Sequence, residues 1–141
     1  MTLAELDDLL RTLPRRYPAL LVDRLLECDA GRSARGLKCV TVGEAHFQGH
    51  FPGYPVMPGV LVLEALIQLS TLLSCVSGQG VPGTVRALDR VRFKRQVIPG
   101  DQLVLETRME GGGRFALTAS VGGETATEAE VVLGSDAEPA T

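Results

Sequence analysis

Residues 60 to 76, VLVLEALIQLSTLLSCV, are apolar on every side of a helix. A helix of that kind belongs inside a protein, with other elements wrapped around it. This one nevertheless carries Glu64 and Gln68, one turn apart and therefore on the same face. A carboxylate in such a setting needs a partner or a task. The helix is preceded by HFQGHFPGYPVMPG, a loop stiffened by Pro52, Pro55 and Pro58 and loosened by Gly49, Gly53 and Gly59. The rest of the chain must supply walls for the helix and a use for its glutamate.

The 141 residues suffice for one domain, which buries about two-thirds of its unfolded surface. A net charge of −3 gives no reason to expect nucleic acid or an acidic membrane as partner. The first eleven residues hold Glu5, Asp7 and Asp8 and lack a basic start, so no secretory signal is expected. The apolar run falls short of the roughly 20 residues of a membrane span and contains Glu64. Cys28, Cys39 and Cys75 are odd in number and form no CxxC pair, which suits reduced thiols in a cytoplasmic protein.

Thr2 and Glu5 fit a capping box, and Leu3, Leu6, Leu9 and Leu10 predict a short amphipathic helix ending before Pro14. Residues 20 to 28 predict a strand, Asp29-Ala30-Gly31 a turn, and residues 32 to 42 a second strand interrupted by Gly36. Beyond the helix, strands are expected over 84 to 95, 102 to 110, 114 to 121 and 124 to 133. Gly111-Gly112-Gly113 and Gly122-Gly123 mark hairpin turns. Alternation puts Leu103, Leu105, Thr107 and Met109 on one side of their strand, and Phe115, Leu117, Ala119 and Val121 on one side of theirs. The last strand sets Thr125, Thr127, Ala129, Val131 and Leu133 against Glu124, Glu128 and Glu130. The tail from Ser135 is expected to fray. The class is α+β: a meander of antiparallel strands, apolar on one face and wrapped around one long helix. Its exposed edges and apolar surplus suggest that two copies associate.

Three features point to chemistry. His50 sits before Phe51-Pro52-Gly53, where the backbone holds an imidazole in place; it serves either as a loop cap or as a base. Glu64, fourteen residues later in the apolar helix, is either half of an ion pair with an arginine or a desolvated acid. Imidazole and desolvated carboxyl are the groups best suited to proton transfer near neutral pH. Pro58-Gly59 either merely starts the helix or offers first-turn N–H groups and the helix dipole to a developing negative charge. His46 and His50 are spaced HxxxH, but Gly49 and Pro52 argue against a helix aligning them and no third ligand follows, so no metal is expected. GxSxG, GxGxxG and P-loop patterns are absent, and Cys75 lies deep in the apolar run.

Residues 86 to 95 hold Arg86, Arg90, Arg92, Lys94 and Arg95 against Asp89. That puts +4 in ten residues and leaves −7 on the remainder of a chain whose total is −3. On a regular strand, Arg90, Arg92 and Lys94 share the face opposite Val91 and Phe93. Such a face is either simply solvated or steers an acidic partner.

His50 through Gln68, HFPGYPVMPGVLVLEALIQ, closely resembles the signature of the FabZ-type 3-hydroxyacyl-[acyl-carrier-protein] dehydratases. RRYPALLVDRLLE (15 to 27), FQGHFPG (47 to 53) and RFKRQVIPGDQL (92 to 103) are similar to further family segments in the same order, so the resemblance covers roughly residues 13 to 110. It implies a hotdog fold, the long helix as filling and an antiparallel sheet as bun. It also implies a homodimer, possible as a trimer of dimers, with active sites at the dimer interface and the histidine of one subunit facing the glutamate of the other. His50 and Glu64 match that pair. Gly59 matches the glycine whose N–H binds the thioester carbonyl, and Gln68 a glutamine beside the acid; Phe51 and Pro58 are adjoining substrate-binding candidates. The implied reaction takes a (3R)-3-hydroxyacyl thioester to the trans-2-enoyl thioester without a cofactor. Acyl carrier protein is the implied partner, with Arg90, Arg92, Lys94 and Arg95 as docking candidates.

His46 replaces the family's usual aromatic residue and Tyr54 occupies a variable position. Glu64, where related dehydratase-isomerases carry aspartate, resembles the purely dehydrating branch. Fatty-acid elongation is the first expectation. A stand-alone dehydratase of a polyketide or other specialised acyl chain is the second, and a hotdog thioesterase or non-catalytic acyl-binding module the third.

Overall fold

A computed structural model describes Asp8, Arg11 and residues 20–41, 56–80, 82 and 84–134. The expected N-terminal helix, apart from Asp8 and Arg11, and the tail from Ser135 lie outside the described residues. The helix α1 spans Gly59–Val76. The strands are β1 Arg24–Asp29, β2 Ser33–Cys39, β3 Thr84–Phe93, β4 Gln102–Gly111, β5 Arg114–Val121 and β6 Glu124–Gly134. They form one antiparallel sheet in the order β1-β2-β4-β5-β6-β3.

The inner row of the sheet carries the predicted alternation. Leu103, Leu105 and Thr107 of β4, Phe115, Leu117 and Ala119 of β5, and Thr127, Ala129, Val131 and Leu133 of β6 are buried. They pack on Leu66, Leu69, Leu72 and Leu73 of α1, giving a contiguous apolar core. One polar pair enters it: Ser70 Oγ lies 2.7 Å from Thr107 Oγ1, and Ser70 also donates to Leu66 O at 2.9 Å. Both hairpins turn on left-handed glycines, Gly111 to Gly113 and Gly122 to Gly123, as short reversals of a right-twisted sheet require. Gly36 does not break β2. A Cβ there would come within 3.1 Å of Val22 Cγ1 and 3.4 Å of Leu69 Cδ1, so its bare Cα lets the preceding segment and the helix approach the strand.

Two arrangements differ from expectation. Strand β1 begins at Arg24 rather than at residue 20, although Asp23 N–H still donates to Leu37 O at 2.9 Å. Only β4 to β6 form a meander; β3 crosses to the far edge and pairs with β6. The connection after β3 is held against the end of β2, where Gly100 N–H donates to Val40 O and Val40 N–H to Asp101 O. That contact seats β4 beside β2.

The edge strand is irregular. Asp89 lies opposite Glu130 and Arg92 opposite Glu128, so three steps on β3 span two on β6. The extra residue is accommodated at Arg90, whose φ of 54 is left-handed. Continued alternation would have put Arg92 beside buried Thr127 and Phe93 on the outer face. The bulge reverses this: Arg92 faces outward with Glu128, and Phe93 joins the inner row opposite Thr127. Arg90, Arg92 and Lys94 thus all lie beside the outer-row acids Glu128 and Glu130, opposite Phe93 as expected, and it is the bulge that reconciles this with Leu88 on the inner row.

Candidate active site

Helix α1 begins without a side-chain cap. Pro58 has extended dihedrals (φ −57, ψ 135), and its carbonyl accepts from Leu61 N–H at 3.0 Å and Val62 N–H at 3.4 Å. Gly59 and Val60 thus keep first-turn N–H groups without an intrahelical acceptor, at the positive end of the helix dipole. The approach to this end is clamped. Met57 N–H donates to Val97 O at 2.7 Å, and Met57 and Val97 are both buried.

Gly59 is a site of close approach. A Cβ built there would lie 2.5 Å from Phe93 Cε1 and 2.7 Å from Cζ. The phenyl ring therefore occupies the space that any larger residue at position 59 would need. Phe93 is itself 55% exposed, so its ring covers the glycine while leaving much of its own surface open.

One and a half turns on, half-buried Glu64 stands beside buried Gln68. Gln68 Oε1 accepts from Leu21 N–H at 2.8 Å, and its Nε2 lies 3.5 Å from Glu64 Oε1. The two contacts fix the amide's sense. A backbone donor demands the carbonyl end, which turns the NH2 end toward the carboxyl. One glutamate oxygen thereby meets a donor. The segment supplying Leu21 N–H is anchored in turn by Asp23, whose Oδ2 accepts from Cys39 N–H at 2.7 Å and lies 3.8 Å from the buried Lys38 Nζ.

The structure thus brings Pro58, Gly59, Glu64 and Gln68 together on the first three turns of α1. His50 and Phe51 lie outside the described residues. Sequence patterning put Phe93 on the face opposite the cations but did not single it out for the site, because its contact with Gly59 joins distant segments; nor did it find the Leu21 amide, since backbone groups leave no mark in composition.

The cations are less available than the sequence suggests. Arg95 lies 3.7 Å from Asp101 and 3.5 Å from Glu124, Lys94 lies 3.0 Å from Glu128, and Arg90 lies 3.9 Å from Glu130. The acids of β6 are brought opposite the basic run of β3, recombining charges that are segregated along the chain. Arg92 is exposed on the outer face.

Burial pushes up the thiol pKa of Cys75. It does the same for Cys28, where the negative charge of Asp29 adds to it. Both stay protonated near neutrality and are poor nucleophiles. Among the described residues, His, Cys, Asp and Glu nowhere gather in threes.

Comparison with known proteins follows the same lines. Residues 13–133 match the FabA-like domain. The chain is 52% identical over 131 residues to a 3-hydroxyacyl-[acyl-carrier-protein] dehydratase FabZ of Moorella thermoacetica, covering 86% of this chain and 89% of that one. It is 46% identical over 136 residues to the FabZ of Proteus mirabilis, covering 91% of each. Among solved structures, its fold is similar to the dehydratase heterocomplex ApeI:P of Xenorhabdus doucetiae, with TM-score 0.63 and 21% identity over 77% of this chain and 92% of that chain. It is also similar to a hypothetical thioesterase with coenzyme A from Streptococcus pneumoniae, with TM-score 0.66 and 9% identity over 94% of each chain. At those identities the two structures speak for the hotdog fold alone.

Proposed function

We propose, since the chain belongs to the FabA-like family and to its FabZ-type branch, that it dehydrates (3R)-3-hydroxyacyl-[acyl-carrier-protein] to trans-2-enoyl-[acyl-carrier-protein] in fatty-acid elongation. The observation that carries this assignment to particular residues is the orientation of Glu64 by Gln68, one and a half turns from the open helix end at Gly59. Gly59 N–H donates to the thioester carbonyl and acidifies the C2 proton. A fixed backbone donor of this kind contributes about 3 kcal/mol to transition-state stabilisation. His50 takes the C2 proton as general base, and the released electron pair forms the C2–C3 double bond. The C3–O bond breaks, and hydroxide leaves as water on taking a proton from Glu64. Gln68, with Leu21 behind it, keeps the carboxyl in place. The reaction requires no cofactor, because the phosphopantetheine arm arrives with the carrier protein.

The protomer is expected to work as a homodimer, with His50 reaching Glu64 of the neighbouring copy. Two surfaces support this. The stripe Val60, Leu61, Glu64 and Ile67 is the less buried face of α1. Val85, Leu88 and Phe93, on the inner row of the edge strand, remain exposed. A second copy laid on these surfaces covers both.

Replacing His50 or Glu64 with alanine should lower kcat at least 100-fold or so while leaving the oligomer intact by light scattering. Near-normal turnover in either variant removes these residues from the mechanism.

A further inference from the structure

We propose that Phe93 determines specificity at C2 of the substrate, rejecting 3-hydroxyacyl thioesters branched at that carbon; this rests on Gly59 as the carbonyl-binding residue. The phenyl ring lies where a side chain at position 59 would be, 2.5 to 3.0 Å from a Cβ built on Gly59. The ring is thus in van der Waals contact with the same residue whose N–H is offered to the carbonyl. A carbonyl oxygen accepting that N–H sits about 2.9 Å from the nitrogen, and C2 is two bonds further on. The first acyl carbons therefore run beside the phenyl ring.

The wall is held from behind. The bulge at Arg90 turns Phe93 inward, and immediately after it Lys94 N–H and Arg95 N–H donate to Ala126 O at 2.7 and 3.4 Å. An unbranched C2 presents one hydrogen to His50 and keeps one. In a C2-methyl substrate the retained hydrogen is replaced by a group that must be fitted against the ring. A pocket discriminates one carbon by about 10- to 200-fold.

The test compares kcat/KM for (3R)-3-hydroxybutyryl and 2-methyl-3-hydroxybutyryl N-acetylcysteamine thioesters in the wild-type protein, Phe93→Leu and Phe93→Ala. The wild type should prefer the unbranched substrate by more than about tenfold. Phe93→Ala should narrow that ratio by more than about threefold, through faster turnover of the branched substrate, with Phe93→Leu between. A wild-type preference below tenfold overturns the proposal, as does a ratio that moves less than threefold in a folded Phe93→Ala. If that variant does not fold, the same criterion applies to Phe93→Leu. Failure of the underlying mechanism shows up separately, as turnover of the unbranched substrate that survives His50→Ala.

Discussion

Among the described residues, a methyl group added at position 59 meets the Phe93 ring first. Gly59→Ala should therefore destabilise the protein by about 1–3 kcal/mol, the usual cost of overpacking. In a Phe93→Ala background the same change should be nearly neutral, and a double-mutant cycle by thermal or urea unfolding measures the difference. Equal costs in the two backgrounds would mean that the ring is not what confines the glycine. Both residues were visible in the sequence, Gly59 as a helix start and Phe93 as a strand residue. Their contact was not, because it joins residues 34 positions apart through a bulge in β3.

Between elements, the buried hydroxyl pair joining α1 to β4 makes an asymmetric prediction. Ser70→Ala leaves the Thr107 hydroxyl buried without its partner and should lower stability by about 1–3 kcal/mol. Thr107→Val leaves Ser70 still donating to Leu66 O and should cost less than about 1 kcal/mol, again measured by unfolding. A larger loss in Thr107→Val than in Ser70→Ala would contradict this assignment of donors. The edge strand makes a second prediction. Arg90, Lys94 and Arg95 are engaged by acids of the same chain, so carrier-protein docking should fall most heavily on outward-facing Arg92. Reversing charge at Arg92 and Lys94 should raise KM for carrier-bound substrate several-fold and leave kcat/KM on small thioesters unchanged. Equal loss on both would place these cations in folding or catalysis instead.

At the scale of the molecule, 61% of the apolar helix α1 is buried within one protomer. What the sheet leaves uncovered is the stripe holding Glu64, together with the inner row of β3. Light scattering should give a mass of two protomers or a multiple of two. Ile67→Arg, on that stripe, should shift it toward one protomer and abolish dehydration together with the shift. A monomeric wild type with full activity would exclude a site shared between copies.

The sequence by itself determined the helix and its odd glutamate, the alternation of β4 to β6, both glycine hairpins and, through the HFPG-to-Gln68 stretch, the family. All of these are local signals: periodicities of 3.6 or 2, turn residues, and a motif contained in nineteen consecutive positions. Tertiary structure decided which strand lies at which edge, where the basic residues find their acids, how Gln68 is turned by the Leu21 amide, and that Phe93 closes on Gly59. Each of these depends on pairing between distant segments, where a single inserted residue exchanges the two faces of a strand. Residue spacing alone does not record that exchange.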